Sequence, residues 1–381
     1  MDLAKAFDSL DRQKLISKLN FIGVKNKALN WFESYFNGRE QVVSINGIES
    51  EKNKVEYGVV QGSTLGPVLF LIYINNISKV DIEGQLFLFA DDTVLVSTGC
   101  TWDDVYKQAS LDLMKLKRWF DQNTLTVNIT KTKHLPIFFK SNFEPGPRIL
   151  KIHSCGDSQS ILCSCGIVER VDQYNYLGVI IDSKLSWSPH VIHVKQRLRK
   201  LIYAFSHLNR VLSVDYCRTV YFAYVQSVIQ YGILAWGGAS AVTLEPLAVT
   251  QRSIIKTILQ KNKRYPSTLL LTEFKVFNIR QLYVKNILIY IKKNKDSVFT
   301  EIYHNYNTRT RDNFGFVVPR LRNRIESTNS LYLAHKIYSK VPDFILQIEG
   351  GSMGVYKKRV SEWLVRLGAD GTEDLLKSLY T

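Results

Sequence analysis

Asp91 and Asp92 stand side by side between two short apolar runs, Gln85-Leu-Phe-Leu-Phe89 and Thr93-Val-Leu-Val-Ser97. Runs of that length, rich in β-branched and aromatic residues, predict strands, so the acidic pair falls at the tip of a hairpin. A solvated turn accepts Asp readily. Two like charges on a tight turn between buried strands, however, do nothing for folding. They suit a hard divalent cation such as Mg2+, which takes carboxylate oxygens held on a stiff support.

Two other segments keep this pair company. Met1-Asp-Leu-Ala-Lys-Ala-Phe-Asp8 opens the chain, and Gly58-Val-Val-Gln-Gly-Ser-Thr-Leu-Gly-Pro-Val-Leu-Phe-Leu-Ile-Tyr-Ile-Asn75 lies between. In that order the three segments resemble consecutive motifs of reverse transcriptases. They are most similar to LINE-type, non-LTR retrotransposon enzymes of the Jockey-like kind. The resemblance continues through Leu125-Thr-Val-Asn-Ile-Thr-Lys-Thr132 and Tyr176-Leu-Gly-Val-Ile-Ile-Asp182, and more weakly into the C-terminal region.

The resemblance implies an RNA-directed DNA polymerase that transfers nucleotides to a primer 3′-OH with two metal ions, Mg2+ or in its place Mn2+. Charge builds on the attacking and leaving oxygens of such a displacement, and two cations about 3.5–4 Å apart stabilise both. By resemblance the metal ligands are Asp2 and Asp91, with Asp92 assisting at the metals or near the primer terminus. Phe7 matches the aromatic residue that excludes a sugar 2′-hydroxyl. Gln61 and Gly62 match a loop that contacts template and incoming nucleotide, with Gln61-Gly62-Ser63 opening a helix whose N-terminus favours phosphate. Lys131 matches a lysine able to protonate the departing pyrophosphate. Tyr176-Leu-Gly-Val resembles the strand turn that steadies a primer end. Asp8 is expected to cap the helix that follows it. The chain departs from the pattern at Val60, where relatives commonly have Pro, and at Asn75-Asn76, where they commonly have Asn-Asp.

The bulk properties fit this reading. The 381 residues are 45% hydrophobic, a globular composition with room for two or three cores. Fifty Lys and Arg against 34 acidic residues give a formal charge of +16, which calls for a polyanionic partner. The expected partners are an RNA template, a DNA primer and dNTPs, with no membrane and no obligate protein partner. The longest apolar run, Leu65 to Ile74, is too short to span a bilayer and contains Gly66 and Pro67. The N-terminus has no apolar h-region, so the expected location is intracellular, in nucleus or cytoplasm, and not secreted. Five cysteines, an odd count, argue for a reducing compartment. His153, Cys155, Cys163 and Cys165 lack the paired short spacings usual for zinc and read as small apolar side chains on strand edges.

The elements that must position these residues follow from periodicity. Residues 8–37 read as helices, with Leu10, Leu15, Leu19 and Ile22 on one apolar face and Leu29, Trp31, Phe32, Tyr35 and Phe36 on the next. Residues 41–60 alternate and predict a hairpin turning at Asn46-Gly47. An apolar helix is expected over 65–78. Another, over Trp102–Gln122, buries Val105, Ala109, Leu113, Leu116 and Phe120. Short strands fill 125–181, and long helices follow at about 189–212, 214–235 and 244–262. Further helices occupy 266–381, broken by a polar stretch around His304 to Asn323. The predicted class is α+β: a right-hand polymerase palm, an antiparallel sheet with helices, followed by a helical thumb and a helical C-terminal region. The expected parts are a palm with partial fingers at 1–188, a thumb-like region at 189–265 with basic residues from Lys195 to Lys200, and a region of unassigned role at 266–381.

The first matched carboxylate is residue 2, and the basic fingers that grip the triphosphate in this family lie upstream of it. The chain therefore reads as N-terminally truncated, with little or no activity expected alone. The alternative is a catalytically inactive nucleic-acid-binding remnant of such an element.

Overall fold

The computed structural model describes residues 1–139, 143–155, 163–299, 330–346 and 352–377. Helices and strands are mixed along the chain, so the class is α+β. The chain divides into two units, Met1–Asp172 and Gln173–Thr381, each with its own buried core.

The first unit begins with β1 (Leu3–Ala4), α1 (Arg12–Phe21) and α2 (Asn26–Phe36). An exposed hairpin follows, built from β2 (Glu40–Gln41), β3 (Ser44–Ile45), β4 (Ile48–Glu49) and β5 (Asn53–Lys54). It turns at Asn46 and Gly47, both at positive φ (52° and 82°), as a type I′ turn requires. Next come α3 (Gly66–Ile74), the antiparallel hairpin β6 (Gln85–Phe89) and β7 (Asp92–Val96), and α4 (Trp102–Gln122). The unit closes with β8 (Thr126–Val127), β9 (Lys133–His134), β10 (Leu150–Ile152) and β11 (Gly166–Arg170). β1 pairs with β8, while β11 lies between β10, antiparallel, and β9, parallel.

Its core joins Leu3, Leu15, Leu19, Leu69, Phe70, Leu116, Phe120 and Val127. Two apolar faces reach less far than their sequence suggests. Ile22 is 55% exposed because it is the C-cap of α1, where helical periodicity has ended. Trp31 is 53% exposed and stacks on Tyr35, so only Phe36 of that helix is buried. The strand leading into the acidic tip is not buried either: Phe87, Leu88 and Phe89 are exposed.

The second unit opens on the hairpin of β12 (Gln173–Tyr176) and β13 (Val179–Asp182), which turns at Leu177 and Gly178, both at positive φ. Helices follow: α5 (Ser188–Val211), α6 (Val214–Tyr221), α7 (Ser227–Gln230), α8 (Ile233–Trp236), α9 (Ala241–Ile258), α10 (Ser267–Phe274) and α11 (Ile279–Lys293). The short α12 (Lys295–Val298), α13 (Ser330–Tyr338), α14 (Asp343–Leu346) and α15 (Met353–Lys377) complete it. The single helix expected over 214–235 is in pieces. A π turn at Phe222–Gln226 and Gly232, at φ 61°, interrupt it. A side chain at 232 would meet Val179 at 2.7 Å, so glycine permits the close approach of helix to hairpin there. Leu198, Phe205, Tyr221, Trp236, Leu247 and Ile254 form the centre of this core. The polar stretch around His304 to Asn323 lies outside the described residues. Among the described residues no helix is long and apolar enough to cross a membrane.

Candidate active site

The strand carrying Asp2 runs between the acidic hairpin and β8. On one side Leu3 pairs with Val127, and Asn128 donates its N–H to the Asp2 carbonyl at 2.8 Å. On the other side Met1 and Thr93 exchange hydrogen bonds. The Met1 nitrogen donates to the Thr93 carbonyl at 2.6 Å, and the Thr93 N–H donates back at 3.3 Å. One further step of that antiparallel register sets Asp2 opposite Asp92. Leu3 and Thr93 point inward and are buried, which leaves the carboxylates on the other side of the pleat.

Local geometry fixes the tip. Phe89 pairs with Asp92, so Ala90 and Asp91 form a two-residue loop. Ala90 sits at φ 51°, a left-handed conformation that costs a residue with a Cβ about 1 kcal/mol. The base of the hairpin is held by Asp112 of α4, which is fully buried. It accepts the N–H groups of Gly84 at 2.8 Å and Glu83 at 3.3 Å, and the Gln108 side-chain amide at 3.0 Å. Sequence reading missed Asp112, although it lies on the stripe 105–109–112–116, where a lone acid marks a buried polar contact.

Burial raises the Asp92 pKa above the ordinary carboxylate range, and the charges of Asp91 and then Asp2 add to the effect. The Met1 ammonium opposes it. Asp2 Oδ2 is buried and accepts no hydrogen bond. Like charges opposed across strands, with an orphaned buried carboxylate oxygen between them, destabilise a protein unless a cation joins them. All the donors are hard oxygens. The residues present therefore fit a divalent metal of the Mg2+ or Mn2+ kind.

The remaining predicted residues fall into two groups. The turn at 128–132 is tied to Asp2, because the Asp2 N–H donates to Thr132 Oγ1 at 3.2 Å and that hydroxyl donates to the Asn128 carbonyl at 2.8 Å. Lys131 rides on this turn with its side chain exposed, and it is not among the charges that shift Asp92. The other group gathers around Phe7, which is half-buried and stacked on Phe70 at 4.7 Å. Gln61 donates its amide to Asp8 at 2.7 Å. Asp8 therefore does not cap α1; Asp11 does, accepting the Lys14 N–H at 3.0 Å. Gly62 is exposed at φ 78°. The helix expected to open at Gln61 starts at Gly66, after a turn in which Ser63 accepts the Gly66 N–H.

Two further residues aim this loop. Gly58 lies at φ 78° against Asp8, where a Cβ would fall 2.8 Å from the Asp8 backbone. Arg12 donates to the carbonyls of Phe36 at 2.8 Å, Gly58 at 3.0 Å and Tyr57 at 3.1 Å, and also to that of Val55. No sequence signal separated Arg12 from an ordinary surface arginine.

Asp2 thus lies on the strand beside the acidic hairpin, and Gln61 is tied to Asp8, next to Phe7. Residues 1–181 match the family model for reverse transcriptase (RNA-dependent DNA polymerase). The chain is similar to the RNA-directed DNA polymerase from mobile element jockey of Drosophila funebris, 22% identical over 269 residues that cover 68% of this chain and 28% of that protein. It is similar to the jockey counterpart of Drosophila melanogaster at 22% over 268 residues, with the same coverage. The expectation of a LINE-type reverse transcriptase holds. The chain spans about a quarter of the length of the curated relatives it matches.

Proposed function

We propose that this chain carries the palm of an RNA-directed DNA polymerase, with Asp2, Asp91 and Asp92 holding the catalytic cations, Mg2+ first and Mn2+ as a substitute. The observation that carries the reading is the orphaned, buried Asp2 Oδ2 on the residue opposite Asp92. When bound, such cations neutralise charge developing on the attacking and leaving oxygens.

The chain's own residues supply position and specificity. Phe7, backed by Phe70, is a stiff wall against the sugar of an incoming dNTP and disfavours an added 2′-hydroxyl. Gln61, pinned by Asp8, and Gly62 present a turn to template and nucleotide. Lys131 delivers a proton to the leaving pyrophosphate, a contribution of roughly 10²–10⁴-fold. Along α5, Lys195, Arg197, Arg199 and Lys200 make two turns of the helix strongly basic, as suits duplex phosphates. In this reading the palm runs over 1–188, a thumb over 189–265 and a further helical region over 266–381. Template and primer are the partners, and no protein partner is required.

The test is single-nucleotide addition to a DNA primer annealed to RNA, with Mg2+ or Mn2+. Addition should occur, however slowly, and should vanish in Asp91→Ala while primer–template binding persists. Salt-sensitive binding with no addition under either cation would replace the polymerase reading with that of a binding remnant.

A further inference from the structure

Beyond the carboxylate site, the first unit carries a second cluster of ligating side chains. The imidazole of His153 and the sulfurs of Cys155, Cys163 and Cys165 offer four ligand atoms within 4.8 Å of one another. His153 Nδ1 lies 3.6 Å from Cys155 Sγ and 3.3 Å from Cys163 Sγ. Around a tetrahedral zinc, bond lengths of about 2.3 Å to sulfur and 2.0–2.1 Å to nitrogen give ligand–ligand edges of about 3.5–3.8 Å. The cluster is thus close to the size the ion requires.

Strand register explains why the spacing looked wrong in the sequence. β10 pairs antiparallel with β11, Ile152 opposite Gly166. The ladder ends there; the same register carried one step on would set His153 opposite Cys165, and two steps beyond that Cys155 opposite Cys163. Residues two apart on a strand share a face. His-x-Cys just after β10 and Cys-x-Cys just before β11 thus continue that alternation, and their four ligand atoms come together. The sequence alone read these residues as small apolar side chains on strand edges, a reading that the clustered ligand atoms replace. Cys155 is exposed and Cys163 and Cys165 are half-exposed.

The surroundings match an anionic metal centre. Three thiolates and a neutral imidazole on Zn2+ carry one net negative charge. The Lys151 ammonium lies 3.9 Å from Cys163 Sγ and donates to the Cys163 carbonyl at 2.6 Å. The Ser154 N–H donates to Cys165 Sγ at 3.3 Å. Donors of this kind orient and stabilise ligating thiolates.

We propose that His153, Cys155, Cys163 and Cys165 bind one structural zinc ion that ties the β10 and β11 segments together just beyond Ile152 and Gly166. Four protein ligands fill the coordination sphere and leave no position for a substrate. The tie also bears on the neighbouring site. Leu150, Ile152 and Val168 anchor the hairpin in the core. Gly166 packs so tightly on Ile129 that a Cβ there would come within 2.5 Å of its side chain. Glu169 and Arg170 pair with Lys133 and His134, directly after the turn that holds Asp2.

The test uses the full chain, purified reduced and equilibrated with excess Mg2+. Metal analysis should find one zinc per chain in the wild type and in Asp91→Ala. Cobalt replacement should give the intense visible bands of a tetrahedral site and a thiolate charge-transfer band. Cys163→Ser should lose the zinc, Cys165→His should keep it by conserving four nitrogen and sulfur ligands, and Cys100→Ser, outside the cluster, should be unchanged. A wild-type chain that takes up no stoichiometric zinc, a cobalt spectrum of octahedral form, or full zinc retention in a folded Cys155→Ser/Cys163→Ser chain would overturn the proposal. If cysteine variants fail to fold, the wild-type cobalt spectrum decides.

Discussion

Asp2 and Asp92 face each other across a strand seam closed by the reciprocal hydrogen bonds of Met1 and Thr93. Two carboxylates so placed repel in the absence of a cation; burial first, then the charges of Asp91 and Asp2, raises the Asp92 pKa. A carboxylate whose folded pKa lies above its unfolded value costs stability once it ionises. Without divalent cations, stability should therefore fall as pH rises from 3.8 through the raised pKa of Asp92. Asp92→Asn should raise the melting temperature at neutral pH in EDTA. It should also shrink the stabilisation that Mg2+ or Mn2+ gives the wild type, since a ligand bound only to the native state raises stability by mass action. Thermal melts with and without metal check both parts.

Arg12 gathers four carbonyls from the segment leading to the Gln61-Gly62 turn and from the end of α2. Arg12→Met keeps the stem and leaves those carbonyls without their donor. The expected cost is about 2–3 kcal/mol, measured by urea unfolding. Gly58→Ala strains a left-handed position against the Asp8 backbone. It should disorder the 58–63 turn, which hydrogen exchange at those amides would report. An unchanged exchange pattern would show that the turn is held by other contacts.

In the second unit, His190 accepts the Ile180 N–H on Nδ1 at 3.2 Å and lies edge-on to Trp236. Burial, with the neighbouring His193, lowers its pKa from 6.5 to about 4. The unfolded chain binds a proton there that the folded chain refuses. The stabilising preference is whole above pH 6.5 and is lost as pH falls toward about 4. His190→Gln, which retains an acceptor, should flatten the fall in unfolding free energy across that window.

Particular residues show what the sequence made legible. The acidic tip, the Asn46-Gly47 turn and the α4 boundaries depend on neighbours close in the chain, and all three stand where periodicity and turn chemistry put them. Asp11 rather than Asp8 caps α1 because the chain makes an extra turn before the helix starts, a choice that local sequence leaves open. Arg12 and Asp112 act on backbone far away in sequence, and their roles appear only once the fold brings those groups near. The cysteine and histidine cluster depended on strand register, which spacing conventions drawn from other metal folds do not encode.

In the proposed site Asp2 and the Asp91-Asp92 pair share a cation. Anomalous diffraction from crystals of the chain soaked in Mn2+ tests it most directly. A manganese peak is expected within about 2.1 Å of carboxylate oxygens from both Asp2 and the hairpin pair. Manganese bound to only one of them, or bound elsewhere with the acids bare, would contradict it.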